Sequence, residues 1–277
     1  WQSHKRADAV GDIVYGSGIG DMYRERIEVP FFNFYLKDKG CLDSLPRTML
    51  FFSGENRWRS FDRWREPGRR MTLYLDADGS LSRHRPARSG GCTSYISDPA
   101  DPVPYMPAVG RSIPKGYMNA DQRFASERGD VLTFCGERLD RPISVAGEIG
   151  VRLYASLSTT DADFVVKLID CSPDGRQTLI RGDIIRGRYR NGFTQGEPFE
   201  AGRIEQVRLT MPGIAHTFLE GHRIMVQIQS TWFPLFDRNP QQMIDIYRCG
   251  EHDFVPCRVS IYHSRRYPSS VELGIVE

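Results

Sequence analysis

The hydrophobic pattern of this chain changes period near Gly40, and that switch limits the folds open to it. Before it, Tyr23, Ile27, Phe31, Phe34 and Tyr35 recur at spacings of three and four, the repeat of one helix face. The spacing predicts a helix over residues 21–39. Asp21 serves as its N-cap, Glu25 lies near the first turn, Lys37 and Lys39 sit where the dipole favours cations, and Gly40 follows as the C′ residue. Pro30 falls inside this span, so a kink or two abutting helices is expected.

Beyond Gly40 the period becomes two. Strands are predicted at 48–53, 71–76, 131–135, 143–158, 163–171, 178–188, 203–210, 223–230 and 258–263. Between 222 and 229, Ile224, Val226 and Ile228 point one way while Arg223, Met225, Gln227 and Gln229 point the other. Asp76-Ala-Asp-Gly79 and Ser172-Pro-Asp-Gly175 are turn sequences. The stretch from Pro86 to about Asn119, rich in Pro, Gly and Ser, is too polar for core strands and reads as a long ordered crossover. Many strands with no convincing helix after residue 40 indicate a mainly β chain, a β-sandwich of jelly-roll type. At 277 residues, one large β domain or one domain plus a piece of another is allowed.

Composition excludes several function classes. A net charge of +2 gives no global field toward nucleic acid or an anionic membrane. No apolar run approaches a membrane span, and no signal peptide opens the chain. The basic side is lopsided, with five lysines and 32 arginines, and Arg suits planar pairing with carboxylates. Opening on Trp1 without Met suggests a cut through a longer polypeptide, a processed terminus being the other reading. The six cysteines include no CxxC pair, so zinc-ribbon and thioredoxin-type sites fail. Cys249 and Cys257 bracket His252, which leaves open a hairpin disulfide or a weak metal site. Separate buried or half-buried thiols are the plainer reading, and the redox compartment stays open.

The chemistry of a self-contained hydrolase is missing. There is no GxSxG nucleophile turn, and no HxH or HExxH pair for zinc. Gly16-Ser-Gly-Ile-Gly20 lacks both the full dinucleotide fingerprint and a P-loop lysine, so it reads as a loop feeding the first helix. His216 and His222 read as structural or surface residues. The Arg/Trp-interleaved segment 56–64 reads as sheet-edge packing with Arg on Trp faces rather than a base-stacking surface. One loop stands out at 230–240, where Trp232, Phe233 and Phe236 accompany two prolines and an Asp237-Arg238 pair. It either lines a ligand pocket or partner contact, or is held by its own aromatics while Asp237 and Arg238 bond to backbone. Residue types alone favour the second.

Several motifs taken together carry a family resemblance. The helix segment Arg24-Glu-Arg-Ile-Glu-Val-Pro-Phe-Phe-Asn-Phe-Tyr-Leu-Lys37 resembles the last helix of the α/β-hydrolase domain in CocE/NonD (cocaine esterase-like) serine hydrolases. These include glutaryl 7-ACA acylases and α-amino-acid ester hydrolases, and are related to X-Pro dipeptidyl-peptidases. Asn56-Arg-Trp-Arg-Ser-Phe-Asp62, Leu73-Tyr-Leu-Asp-Ala-Asp-Gly79, Asp121-Gln-Arg-Phe124, Arg186-Gly-Arg-Tyr-Arg190 and the 230–240 loop are similar to their C-terminal, galactose-binding-like jelly roll. The resemblance implies residues 1–45 as the tail of an α/β-hydrolase domain and 46–277 as the jelly roll. It implies ester or amide cleavage by a Ser-His-Asp triad, with no cofactor and no metal. His4, in Trp1-Gln-Ser-His4, is the nearest match to the triad histidine, although the family motif has one residue between Trp and His where this chain has two. Ser and Asp would lie upstream of Trp1. The implied partners are the catalytic domain and a small acyl ester or amide. Trp232, Phe233 and Phe236 would line the cleft, and a homo-oligomer is compatible. The alternative is a non-catalytic jelly-roll module for ligand binding or oligomerisation.

Overall fold

Two packing regimes follow from the change of period. The computed structural model describes residues 8–16, 18–43, 45–64, 68–108 and 113–276. A hairpin of β1 (Ala9–Val10) and β2 (Ile13–Val14) leads into α1 (Ile19–Tyr23), a π-helical turn at Arg24–Glu28, and α2 (Val29–Lys37). The helical run starts before Asp21. Gly18, left-handed at φ 74°, is the N-cap, and its N–H donates to Asp8 Oδ1 at 2.6 Å. Asp21 sits in the first turn instead and pairs with Arg24 at 2.8 Å. Pro30 does not divide the run. It has no N–H for the ladder, and the wider π turn just before it is where the hydrogen-bond register loosens to take the ring. The helix closes on Asp38 at φ 50°, ahead of the expected Gly40, with the Lys39 N–H donating to the Asn33 carbonyl at 3.0 Å.

Next, β3 (Thr48–Phe52) and β4 (Arg57–Phe61) form a separate hairpin. Its Arg59 lies over the Phe52 ring at 4.5 Å, not over a tryptophan, while Trp58 meets Phe51 edge-on. The remaining strands form one 11-stranded sheet. They are β5 (Arg69–Leu75), β6 (Ser80–Ser82), β7 (Cys92–Ser97), β8 (Leu132–Gly136), β9 (Ile143–Leu157), β10 (Asp163–Cys171), β11 (Gln177–Arg186), β12 (Glu205–Phe218), β13 (Arg223–Gln229), β14 (Cys257–Tyr262) and β15 (Ser270–Val276). Their order is β11-β10-β13-β8-β6-β5-β15-β9-β14-β7, with β12 on β9. Among the described pairs only β6–β8 is parallel.

The two halves of this sheet roll onto one core. Phe164, Val166 and Leu168 of β10 share it with Val226 and Ile228 of β13, Ile149 and Leu153 of β9, and Val259 and Ile261 of β14. The result is the expected mainly β sandwich. Two local expectations fail for physical reasons. β12 continues past Thr210 through Pro212 and Gly213, because a register shift between Met211 and Ile214 puts the proline in a bulge. The polar 86–119 stretch contains β7, an edge strand that turns Tyr95 and Ser97 inward while Thr93 and Ser94 bond to His263 and Ser260.

The alternation in β13 also has a second consequence. Ile224, Val226 and Ile228 enter the core, but Met225, Gln227 and Gln229 on the other face are buried too. A second apolar layer covers that face, built from Tyr105, Leu179 and Trp232 around Val165, Ile169 and Met225. Trp232 comes from the aromatic loop, so the covering layer and the candidate site are one structure.

Candidate functional site

The chain leaves β13 at Gln229 and is caught at once by β7 and the crossover that follows it. Tyr95 Oη and Ser230 Oγ lie 2.7 Å apart, and the Val103 N–H donates to Thr231 Oγ1 at 2.7 Å. The Phe233 N–H then donates to the Val103 carbonyl at 3.1 Å, and the Tyr105 N–H to the Phe233 carbonyl at 2.9 Å. Trp232 folds inward, 5 % exposed, stacked on Phe236 with centroids 5.9 Å apart. Its ring lies on Gly182 of β11. A Cβ at that position would come within 2.6 Å of Trp232 Cη2, so only glycine admits the approach.

Beneath the indole is a buried amine. Lys167, from the middle of β10, is fully enclosed. Its Nζ lies 5.7 Å from the Trp232 centroid and 5.9 Å from that of Phe124, and donates to Gln122 Oε1 at 2.9 Å. Burial pulls its pKa down to about 7, because the charged form loses its water there.

The far end of the loop is held by ion pairs. The Asn239 amide donates to Asp161 Oδ2 at 3.0 Å and to Asp163 Oδ1 at 2.7 Å. Asp161, fully buried, also accepts from Arg188 Nε at 2.6 Å and from the Arg188 backbone N–H at 2.9 Å. Arg188 spends its remaining donors on the Gln242 and Ile244 carbonyls at 3.0 and 2.8 Å. The Asp163 carboxyl is pushed up to about 7 by burial, although Arg186 stands 3.4 Å away. Arg238 donates to the Pro99 carbonyl at 3.0 Å and pairs with Glu251 at 2.7 Å.

Anchored at both ends, the loop presents Phe233 and Phe236 to solvent, 37 % and 38 % exposed, with Trp232 behind them. The three aromatics named from sequence thus come together in one element, two outside and one as its foot. Such a loop can offer a fixed apolar wall, and its two hydroxyls, Ser230 and Thr231, are engaged with Tyr95 and the Val103 N–H. His4 lies outside the described residues.

Other polar clusters are structural in geometry. Asp170 faces His216 Nε2 at 3.2 Å and His222 Nδ1 at 2.8 Å, and His216 Nδ1 lies 2.8 Å from Ser53 Oγ. The residue types are those of a triad, but His216 is 3 % exposed and the cluster ties the β3–β4 hairpin to β12. Among the described residues no group of His, Cys, Asp and Glu is arranged to hold a metal, and no helix is long and apolar enough to cross a membrane. Cys249 and Cys257 are separate thiols, half-buried and buried. Sequence reasoning passed over Lys167, Asp161, Arg188 and Asn239. The available signal was a lone lysine inside Val165-Val-Lys-Leu-Ile169, where a solvent-facing β position would alternate.

Residues 40–272 match the X-Pro dipeptidyl-peptidase C-terminal non-catalytic domain. Over 260 residues the chain is 34 % identical to a cocaine esterase of Rhodococcus sp. (strain MB1 Bresler), a span of 89 % of this chain and 45 % of that protein. It is similar to the crystal structure of an aminopeptidase from the marine sediment archaeon Thaumarchaeota archaeon, with TM-score 0.94 and 36 % identity over 100 % of this chain and 48 % of that one. It is also similar to an α-amino acid ester hydrolase, with TM-score 0.93 and 34 % identity over 99 % and 48 % of the two chains. The chain spans less than half the length of each of these relatives.

Proposed function

The chain belongs to the X-Pro dipeptidyl-peptidase C-terminal non-catalytic domain family, and from that premise we propose that it is the C-terminal portion of a CocE/NonD-type serine hydrolase acting on ester or amide bonds. In this reading residues 1–45 are the tail of an α/β-hydrolase catalytic domain and residues 46–277 form the jelly roll packed against it. The observation that carries it is the aromatic face of α2. Phe31, Phe32, Tyr35 and Leu36 stand 44–74 % exposed together on one helix, a contiguous face suited to a further protein layer. The relatives, an esterase, an ester hydrolase and an aminopeptidase, share acyl transfer from an ester or amide carbonyl.

The division of labour follows from the chemistry. A triad serine attacks the carbonyl, a histidine carries the proton to the leaving group, and an aspartate holds the imidazole in the right tautomer. His4 is the proposed base, with nucleophile and acid lying outside this chain. The anchored loop supplies a cleft wall. Phe233 and Phe236 cover an apolar acyl body and exclude water, while Trp232 holds them in place. In the intact protein, His4→Ala should abolish labelling by a fluorophosphonate and slow ester turnover by about six orders of magnitude. Unchanged turnover would remove His4 from the mechanism.

A further inference from the structure

The arginine bias of the sequence finds one use that the hydrolase reading does not absorb. A cavity of about 670 Å³ opens between β5, β15 and the start of β9. Among the described residues every charged side chain lining it is an arginine: Arg69 and Arg70 from β5, Arg83 after β6, and Arg141 just before β9. Arg69 and Arg70 both have partners, Arg70 with Glu272 at 3.7 Å and the Glu148 carbonyl at 3.4 Å, so the open donors are those of Arg83 and Arg141. Arg83 and Arg141 are exposed, and among the described residues neither meets a carboxylate or another acceptor. Arg188 and Arg128 elsewhere in the sandwich are matched to acids and carbonyls. Met71, Ile143, Ile275 and the Tyr74 ring add apolar surface to the lining.

We propose that this cleft binds an organic polyanion, a molecule with an apolar body and two or more carboxylate or phosphate groups. The volume falls in the range of about 300–1,000 Å³ usual for small-molecule sites and far exceeds one inorganic phosphate. Guanidinium groups on separate elements match oxyanions bidentately, and the apolar side chains of the lining take the body between them. The positive lobe has a boundary. The adjoining cavity of about 690 Å³ shares Arg83, Arg141 and Ile143 and adds both signs, Asp76, Glu137 and Asp140 beside Arg138 and Arg223, so the stretch lined by arginine alone ends there. With a net charge of only +2 the chain has little long-range pull, so recognition is local.

The inference does not depend on the hydrolase reading, and its test does not use turnover. Calorimetric titration of the intact protein at low ionic strength compares benzene-1,3,5-tricarboxylate with benzoate, which has the ring but one charge, and with inorganic pyrophosphate, which has charge but no ring. The tricarboxylate should bind about tenfold or more tighter than either. The Arg83→Gln/Arg141→Gln double variant should lose about tenfold in affinity at unchanged melting temperature, while Arg258→Gln, an exposed arginine on β14, should bind as before. A tricarboxylate no tighter than benzoate or pyrophosphate, a double variant that binds normally, or an equal loss in Arg258→Gln would each overturn the site.

Discussion

α2 and β10 are each nine residues long and each mostly apolar, yet the helix buries none of its residues while the strand leaves only Cys171 incompletely buried. The difference lies in what each element faces. β10 has hydrogen-bonded neighbours on both sides, the sandwich core on one face, and the Trp232–Tyr105 layer on the other. α2 has no opposing layer among the described residues. Fully burying a Phe or Leu side chain is worth about 1.5–3 kcal/mol, so several such contributions stay unclaimed on the helix. An apolar residue therefore reports on stability only where tertiary structure provides its partner. The same rule governs polar residues, since Lys167, Asp161 and Asp163 are buried with partners that remote segments bring to them.

The sharpest way to break this contrast is to remove a buried polar partner. Asp161→Ala leaves the Arg188 guanidinium without its carboxylate and frees the Asn239 end of the loop, and should cost about 3–5 kcal/mol by urea unfolding. A loss below about 1 kcal/mol would mean that the ion pair does not hold the loop.

A smaller effect separates the two buried titrating groups by pH. With its folded pKa lowered to about 7, Lys167 contributes stability that is full above the ordinary lysine value of about 10.4 and is lost as pH falls through about 7. Asp163, raised to about 7, contributes stability that is full below about 3.9 and is lost as pH rises through about 7. Lys167→Met should erase the rise in stability between about pH 7 and 10, and Asp163→Asn the fall between about pH 4 and 7, each limb being at most about 1.4 kcal/mol per pH unit. Unfolding midpoints recorded across that range test both; wild-type slopes in either variant would contradict the assignment.

The smallest effect belongs to the helix. Leu36, 74 % exposed, can become lysine in the 277-residue chain with a change within about 0.5 kcal/mol in sandwich stability. In the intact protein the same change should cost about 1–2 kcal/mol more if α2 lies under a catalytic domain. A large loss already in the isolated chain would show that the helix packs on the sandwich and would dissolve the contrast.

Much of the architecture was legible because alternation is a local signal. β9, β10, β11 and β13 start and stop within a few residues of the predicted runs, and the Ser172–Gly175 turn joins β10 to β11 as its residues dictate, with the Gly175 N–H bonding to the Ser172 carbonyl at 2.9 Å. β7 escaped because an edge strand carries polar side chains, and the second half of β12 escaped because a bulge hides a proline from any turn rule. The aromatic loop was visible as composition. What Trp232 rests on was not, for Gly182 looks like any strand glycine until a ring lies across it.

The sequence by itself determined the helix-to-strand switch, the sandwich class and the aromatic loop, because period and turn chemistry act between near neighbours. Only the tertiary structure decided that β10 is covered on both faces and that arginines from separate elements share one cleft. Those outcomes depend on distant pairings. Lys167 takes its acceptor from 45 residues away, and Asn239 reaches its carboxylates across more than 70. No local pattern encodes which remote segment will lie across a strand, because that is set by the sum of contacts the whole chain can satisfy at once.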